Sequence, residues 1–244
     1  MTVVILFVFG AIVGSFLNVW ALRLNSGISL GGRSHCPSCG HKLGALELVP
    51  VLSYLLLRGR CRSCRTRIPL QYFLVEVVTG LVFVSVPATF LPVFALFIVI
   101  AIYDLRHKII PDSIVYSAIA LSVIIRIYIG GTLWDFLAGP VLFAFLAAIW
   151  FFSRGRAIGF GDAKLALAIG LLLGVARGSS AIVLSFWIGA AFGVLLIIFS
   201  HFPTLFGRHK KITIKTEIPF APFLILGAWL GAIFQLNLLH VPLF

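Results

Sequence analysis

Apolar and polar residues divide the chain into long hydrophobic runs separated by short breaks that are charged or rich in Gly and Pro. One polar stretch, at about 25–70, is much longer than the other breaks. A helix that crosses a bilayer needs about 20 apolar residues at 1.5 Å rise per residue. The pattern therefore predicts an all-α polytopic membrane protein with about eight transmembrane helices. The predicted spans are residues 2–22, 71–87, 89–104, 112–130, 133–152, 163–178, 180–201 and 219–240.

These runs also predict the domain organisation. We expect a first transmembrane helix at 1–24, a cytoplasmic loop at 25–70 and a transmembrane domain at 71–244. The second and third spans are short, because only 33 residues run from Gln71 to Tyr103. Either the bilayer is thinner there or these two helices end inside it.

Composition excludes a soluble globular protein. The chain is 61% hydrophobic and 11% charged, with a mean hydropathy of +1.15, whereas soluble domains carry about 25% charged residues. The net charge is +12 and the pI is about 10.2. In a soluble protein this excess of positive charge would suggest that the protein binds nucleic acid. In a membrane protein it indicates the positive-inside bias and contact with anionic lipid, so we expect membrane lipid and no nucleic acid as a partner.

The basic residues also predict the orientation. The apolar N-terminus lacks the basic start of a secretory signal, and its first positive charge is Arg23. We therefore expect a retained first span with its N-terminus outside. Alternating the spans from there places every Lys and Arg except Arg126 and Arg177 on the cytoplasmic side.

The four cysteines form two C-x-x-C pairs separated by 21 residues in the polar stretch. Thiols stay reduced in the cytoplasm, and two such pairs supply four thiolates to a tetrahedral zinc. Such a site is structural, since four sulfurs leave no position for water. The alternatives are four unrelated cysteines or a redox dithiol. His35 and His41 flank the first pair and are interpreted as bystanders. The predicted ligands are Cys36, Cys39, Cys61 and Cys64.

Two of the few acidic residues lie at the ends of apolar runs. Asp104 ends one run and Asp162 begins another, and the predicted topology places both on the cytoplasmic side. A carboxylate at the margin of a span is costly unless it is paired, and it is a candidate for function. Two carboxylates that share one proton could activate water with the ionised group and protonate a leaving amine with the neutral one. The alternative is that Asp104 is a cap or a partner of neighbouring bases, and that Asp162 is a helix N-cap.

Two glycines precede Asp162 in the sequence Gly159-Phe160-Gly161-Asp162. Backbone without side chains allows an extended substrate strand to approach closely. We therefore predict that Gly159 and Gly161 form active-site backbone. Lys164 lies close enough to pair with an acid, with substrate or with lipid headgroups.

Taken together, these segments resemble the type IV prepilin peptidases, the G-x-G-D family of aspartyl proteases. The resemblance covers nearly the whole chain and rests on motifs that follow one another in order. These are Gly14-Ser15-Phe16-Leu17-Asn18-Val19, the two cysteine pairs, Gln71-Tyr72 through Gly80, Asp104-Leu105 through Asp112, Gly159 through Leu165, and Ile218-Pro219-Phe220-Ala221-Pro222-Phe223.

The resemblance implies the catalytic roles and the substrate. Asp104 and Asp162 match the two catalytic aspartates of the family, which makes 71–244 a transmembrane peptidase domain. The implied enzyme sits in the bacterial inner membrane with its active site facing the cytoplasm. It removes short basic leader peptides from type IV prepilins and pseudopilins, usually after glycine. Many members with the zinc loop also methylate the new N-terminus with S-adenosylmethionine, and for this chain that activity rests on the resemblance alone.

Two other classes of protein remain as alternatives. A proton-coupled transporter also uses paired intramembrane carboxylates, although it would place them near the midplane in two repeated halves. A zinc-stabilised scaffold that recruits secretion components would use the acids only as helix caps. Cleavage of a leader-bearing substrate distinguishes the three.

Overall fold

A computed structural model describes residues 1–27, 29, 31–200 and 218–238, with the side chains of 199 and 200 left out of the description. Its regular structure is helical, and the described residues contain no β-strand, only two isolated β-bridges. The all-α prediction is therefore confirmed. The chain divides into two compact units, Met1–Ile102 and Tyr103–Phe244. The eight α-helices of the described residues are α1 (Thr2–Arg23), α2 (Leu52–Leu56), α3 (Leu70–Ser85), α4 (Leu91–His107), α5 (Asp112–Tyr128), α6 (Leu133–Phe152), α7 (Phe160–Ser200) and α8 (Ala221–Phe234).

In the first unit, α1 packs on α3 through small residues. A Cβ atom on Gly10 would lie 2.7 Å from the Cβ of Phe83, and one on Gly14 would lie 2.7 Å from the Thr79 hydroxyl oxygen. Helices in membranes associate through close backbone approach rather than through a hydrophobic driving force. The glycines of the first predicted span therefore serve helix contact.

The polar stretch between α1 and α3 contains a pair of cysteine turns and two short helices. The short helices are the 3₁₀-helix Ala45–Leu48 and α2. Each cysteine turn is closed by a β-bridge, His35 to Lys42 in the first and Arg60 to Arg67 in the second. The stretch is therefore built from turns and bridges with little regular helix.

In the second unit, α7 folds back on itself. Gly174 adopts φ 79° and ψ −175°, which is outside the helical region. A Cβ atom on Gly178 would lie only 3.2 Å from the Cα of Gly170, whereas eight residues of continuous helix span about 12 Å. The helix is therefore a hairpin with a first arm (160–173) and a second arm (175–200). The break predicted near Arg177–Ser180 was misplaced, because a glycine at positive φ turns the chain, whereas the charged segment stays helical.

Arg126 stabilises the end of the first arm. Its Nε donates to the carbonyl oxygen of Leu171 at 2.8 Å, and its Nη2 donates to that of Leu172 at 2.6 Å. These carbonyls lose their helical partners at the break. Asp135 of α6 lies 3.8 Å from Nη1 of Arg126 and balances its charge. One of the two basic residues outside the predicted cytoplasmic segments is therefore a buried helix cap.

The hairpin is packed between the other helices of its unit. Leu165, Ile169 and Leu172 of the first arm are fully buried. Gly139 of α6 approaches this arm so closely that a Cβ atom would lie 2.9 Å from the carbonyl oxygen of Leu167. Helix α5 also packs on α7, and α8 packs on it as well. The arm that begins with the sequence around Asp162 is thus held at the centre of its unit.

Four helical segments of the described residues are long and apolar enough to cross a membrane, judged by length and composition. They are Thr2–Arg23, Ala88–His107, Leu133–Phe152 and Phe160–Ile198. Shorter apolar helices lie at Leu70–Ser85 and Ala221–Phe234. A helix lies at each predicted span, with two predicted spans joined in α7. The last predicted span, 219–240, ends outside the described residues.

Candidate active site

Asp104 lies in the last turn of α4 and is 5% exposed. Its Oδ2 accepts a hydrogen bond from the backbone N–H of Ala221 at 3.2 Å. Ala221 is the first residue of α8, where backbone N–H groups have no partner within the helix. The first catalytic candidate therefore binds the start of the last helix. Sequence reasoning missed this contact, because a backbone donor leaves no signature in the sequence.

Asp162 is the third residue of α7 and is 7% exposed. Its Oδ2 accepts a hydrogen bond from the backbone N–H of Gly159, just before the helix, at 3.0 Å. The N-cap alternative for Asp162 is wrong in its position, because the helix begins two residues earlier. The carboxylate instead reaches back from the first turn, as the acidic member of a capping box does.

Asp104 and Asp162 belong to the same compact unit. Each is buried and each accepts one backbone N–H. The structure therefore places in one unit the two acids that the sequence singled out.

Gly161 lies against the connection between α4 and α5. A Cβ atom at this position would lie 2.9 Å from the Cβ of Ile110. A side chain there would push the start of α7 away from Ile110, because the crowded atom is close to the backbone and cannot move freely. A Cβ atom on Gly159 would lie 3.3 Å from Oδ2 of Asp162. Gly159 thus borders the carboxylate and Gly161 packs on Ile110, and their contact with a substrate strand stays a prediction.

Lys164 pairs with Asp112. Its Nζ lies 2.6 Å from Oδ1 of Asp112, and its ammonium lies 5.1 Å from the ring centre of Tyr116 and 5.3 Å from that of Phe160. Asp112 is the first residue of α5, and the N-cap position before it is Pro111, which makes no side-chain capping hydrogen bond. Its carboxylate neutralises the lysine that follows Asp162 in the sequence.

The four cysteines form one cluster in the first unit. All four Sγ atoms lie within 4.8 Å of one another. The Sγ atoms of Cys36 and Cys64 are 3.8 Å apart, and those of Cys39 and Cys61 are 4.0 Å apart. Four sulfurs at 2.3 Å from a tetrahedral zinc are about 3.8 Å apart. The cluster therefore has the geometry of a four-sulfur metal site.

Backbone and side-chain contacts complete the cysteine turns. Gly40 and Arg65 occupy equivalent positions after the two pairs and adopt φ 72° and φ 58°. Hydrogen bonds with the side chain and the backbone of Thr66 lower the pKa of Cys64 to about 6, which favours the thiolate. His41 Nε2 lies 3.1 Å from Oε2 of Glu47. This histidine is paired with a carboxylate and lies outside the sulfur cluster, in agreement with its interpretation as a bystander.

Two contacts of the first unit connect segments that are far apart in the sequence. Asn18 of α1 is fully buried, and its Oδ1 accepts from Nε2 of Gln71 in α3 at 3.0 Å. Glu76 of α3 is also buried, and its Oε2 accepts from the backbone N–H of Val51 at 2.7 Å. Asn18 and Gln71 therefore connect α1 with α3, and Glu76 connects α3 with the polar stretch.

The fold and the site define a class of protein. An all-helical protein with apolar helices long enough to cross a membrane, two buried aspartates in one compact unit and a four-cysteine cluster fits a membrane peptidase. Residues 8–90 match the model of the Bacterial Peptidase A24 N-terminal domain, and residues 90–194 match that of the Type IV leader peptidase family. The chain belongs to the type IV leader peptidase family. Both aspartates lie in the second matched segment, and all four cysteines lie in the first.

Relatives match over almost their full length. The chain is 33% identical to a prepilin leader peptidase/N-methyltransferase of Bacillus subtilis (strain 168), with 94% of this chain and 93% of that protein covered. It is 29% identical to a protein of the same name from Aeromonas hydrophila, with 93% and 89% covered. The identity to one from Pseudomonas putida is 28%, with 93% and 88% covered. No solved structure matches the chain. The family and the apolar helices identify a multi-pass bacterial inner-membrane protein.

Proposed function

We propose that this protein is a membrane aspartyl endopeptidase that removes the leader peptides of type IV prepilins and pseudopilins, with Asp104 and Asp162 as its catalytic pair. The observation that carries the proposal is the pair itself: two buried carboxyl groups in one compact unit, each of which accepts a backbone N–H. Family membership supplies the reaction, and the names of the relatives supply the substrate class.

The proposed chemistry needs one proton shared between the two acids. The ionised carboxylate removes a proton from water as the water oxygen attacks the scissile carbonyl carbon. The neutral carboxyl group protonates the amide nitrogen as the C–N bond breaks. The products are a leader with a new carboxylate and a mature pilin with a new amine. The backbone N–H groups of Gly159 and Ala221 hold the two carboxyl groups in place.

We also propose eight membrane spans with the active site facing the cytoplasm. Helix α7 supports this count, because its two arms would be about 21 and 39 Å long and an unbroken helix of its length would be about twice as long as a bilayer core is thick. The short helices α3 and α8 require a locally thinner bilayer. The distribution of Lys and Arg supports the orientation.

The cysteine cluster is proposed to bind one structural zinc ion. Cys36, Cys39, Cys61 and Cys64 would hold it, and their spacing fits a closed tetrahedral site. Zinc would supply folding free energy to the stretch 25–70, which has few buried apolar residues. We further propose N-methylation of the new amine with S-adenosylmethionine as the donor. The names of the relatives support this second activity, and no residue of this chain is assigned to it.

Cleavage of a prepilin by the purified protein in detergent tests the peptidase. Asp104→Asn and Asp162→Asn keep size but cannot exchange a proton, so each should abolish cleavage, with a loss above the roughly 10²–10⁴-fold of a single acid or base. The double variant should be hardly worse, because the two groups act as a unit. Asp112→Asn is the matched control. Appreciable cleavage by well-folded Asp104→Asn or Asp162→Asn protein would refute the mechanism.

Mass spectrometry of a co-expressed prepilin separates the two activities. Leader loss together with an added methyl group supports both, whereas leader loss alone removes the methylation proposal and leaves the peptidase intact. The comparisons give no support to the proton-coupled transporter. A protein that cleaves no leader in this experiment would contradict the proposed function.

A further inference from the structure

An exposed apolar face lies on the polar stretch of the first unit. Leu52 lies one helical turn before Leu55 and Leu56 on α2, and the three side chains are 57%, 56% and 81% exposed. The 3₁₀-helix Ala45–Leu48 contacts α2 and adds Leu46, which is 78% exposed. Contiguous apolar surface of this kind marks a place where a protein meets a partner or a membrane. We call the face formed by the exposed residues of 45–56 the leucine face; it comprises Leu46, Leu48, Val49, Leu52, Leu55 and Leu56.

The opposite side of α2 is fixed to the start of α3. The ring of Tyr54 stacks on that of Phe73, with 5.2 Å between the ring centres, and the Tyr54 hydroxyl donates to the Ile68 carbonyl oxygen at 3.4 Å. Phe73 lies in the first turn of α3, an apolar helix that begins at Leu70. With α3 as a membrane span that begins at Leu70, as proposed above, α2 lies at the level of the membrane surface.

A second contact holds α2 in this position at the expense of backbone strain. The buried carboxylate of Glu76 accepts the backbone N–H of Val51, which immediately precedes α2. Val51 adopts φ 63°, an outlier for a β-branched residue. Strained backbone persists only where its surroundings determine it. The placement of α2 beside α3 is therefore specified by the fold.

The charges around the leucine face favour anionic lipid as its occupant. Glu47 is the sole acidic residue of 25–70, and its carboxylate already binds His41 and the backbone N–H of Gly44. The segment that directly follows α2 is basic and exposed. Its arginines are Arg58, Arg60, Arg62, Arg65 and Arg67. Apolar residues flanked by arginines at the level of a membrane surface are the pattern of an interfacial membrane-binding segment.

We propose that the leucine face inserts into the leaflet at which α3 begins, with the adjacent arginines on the phosphates of anionic lipids. The insertion would hold the cysteine cluster against the membrane surface beside the entry of α3. This contact concerns the lipid surface alone and does not depend on the peptidase assignment.

Photo-crosslinking of the full chain tests the insertion. The photoreactive residue p-benzoylphenylalanine replaces Leu56 and, in a matched control, Lys42, an exposed residue of the same stretch outside the face. The protein is reconstituted in vesicles of phosphatidylethanolamine and phosphatidylglycerol, irradiated and analysed by mass spectrometry. Position 56 should give at least about fivefold more lipid adduct than position 42, because the reagent attacks only groups in contact with it.

The other outcomes are also decisive. Polypeptide adducts at position 56, whether with a second copy or with another protein, would overturn the proposal, and so would equal lipid adduct at positions 56 and 42. Vesicles of phosphatidylcholine, which lack anionic lipid, should give less lipid adduct at position 56. If the variant at Leu56 does not fold, the same reagent at the exposed Leu52 gives the same test. Leader cleavage is not a readout, so failure here leaves the proposed function untouched.

Discussion

The ammonium group of Lys164 is the nearest cation in sequence to Asp162, and Asp112 neutralises it. The Asp112 side chain is 65% exposed, and ion pairs of this kind contribute up to about 1 kcal/mol. Because about 1.4 kcal/mol corresponds to a tenfold change, Asp112→Asn should lower the initial rate of prepilin cleavage by less than about tenfold.

Asp162→Asn provides the comparison for this measurement. If Asp112→Asn abolished cleavage as completely as Asp162→Asn does, the exposed acid would belong to the catalytic machinery, and the ion pair would not be its main role. Measuring the metal content and thermal stability of both variants shows whether a loss of cleavage is caused by misfolding.

A second prediction concerns the equivalent positions of the two cysteine turns. Gly40 and Arg65 both adopt positive φ, which costs a residue with a side chain about 1–2 kcal/mol and glycine almost nothing. Gly40→Ala should therefore lower the free energy of unfolding by about 1 kcal/mol. Arg65→Gly should retain stability and metal, since it relieves the same strain. Competition with a chelator measures metal retention in the two variants, and thermal unfolding measures their stability. Faster metal loss from Arg65→Gly than from the native protein would contradict this account.

Individual residues could be predicted where their type is rare. Asp104 and Asp162 were identified because the chain has only seven acidic residues, and the cysteines because their spacing is specific. Their partners could not be predicted. The donor to Asp104 is a backbone group 117 residues away, and such a contact depends on how α8 is placed rather than on which side chain it carries.

At the scale of helices, Arg126 determines how the first arm of α7 ends. Arg126 is 7% exposed, and its guanidinium donates to two carbonyl oxygens that the turn at Gly174 leaves without partners. Removing one partner of a buried charged network costs about 3–5 kcal/mol. Arg126→Met should therefore lower the thermal stability strongly in detergent. Arg156→Met, at an exposed arginine of the α6–α7 connection, is the control and should change it little.

The same variant separates stability from chemistry. Arg126 contacts α6 and the far end of the arm that begins near Asp162, so protein that remains folded at low temperature should still cleave prepilin. Asp135→Asn should lower the thermal stability less in the Arg126→Met background than in the native chain, because the two charges form one network. An equal loss of stability in both backgrounds would show that the two residues are not coupled.

The metal cluster gives the other prediction at this scale. Replacing Cys36, Cys39, Cys61 and Cys64 by Ser should abolish zinc binding and unfold the stretch 25–70, because a closed four-sulfur site contributes folding free energy. Zinc analysis should return one ion per native chain and none per variant. Asp104→Asn and Asp162→Asn should keep their zinc. Native protein without zinc, or undiminished zinc in the variant, would exclude the assignment.

Helices were more predictable than the turns between them. Apolar runs located every transmembrane candidate of the described chain, since hydrophobic length alone selects a spanning helix. The turn inside α7 was misplaced because charge marked Arg177 while the chain turns at Gly174. Gly170, Gly174 and Gly178 are spaced four residues apart, which also suits continuous helix packing. The conformation of Gly174 could therefore not be recognised from its spacing.

At the scale of the whole molecule, charge and hydrophobicity predicted the class of protein, and motif order predicted the family. These two predictions rest on properties summed over many residues, so a single error such as the misplaced turn in α7 does not change them. The division into units is different, because it depends on which helices pack together. The polar stretch lies in one compact unit with α1 and α3.

Orientation is the property of the whole molecule that a single experiment can decide. Reporter fusions after Arg65, after Lys108 and after Arg156 should all report the cytoplasm, and a fusion near Gly131 should report the opposite side, because basic loops remain inside. A fusion after Lys211, which lies outside the described residues, should also report the cytoplasm. The reporters after Lys108 and Arg156 follow Asp104 and precede Asp162, so together they locate both acids. If these two reporters lay on opposite faces, the aspartates could not share a proton, and the proposed mechanism would fail even if each acid were essential.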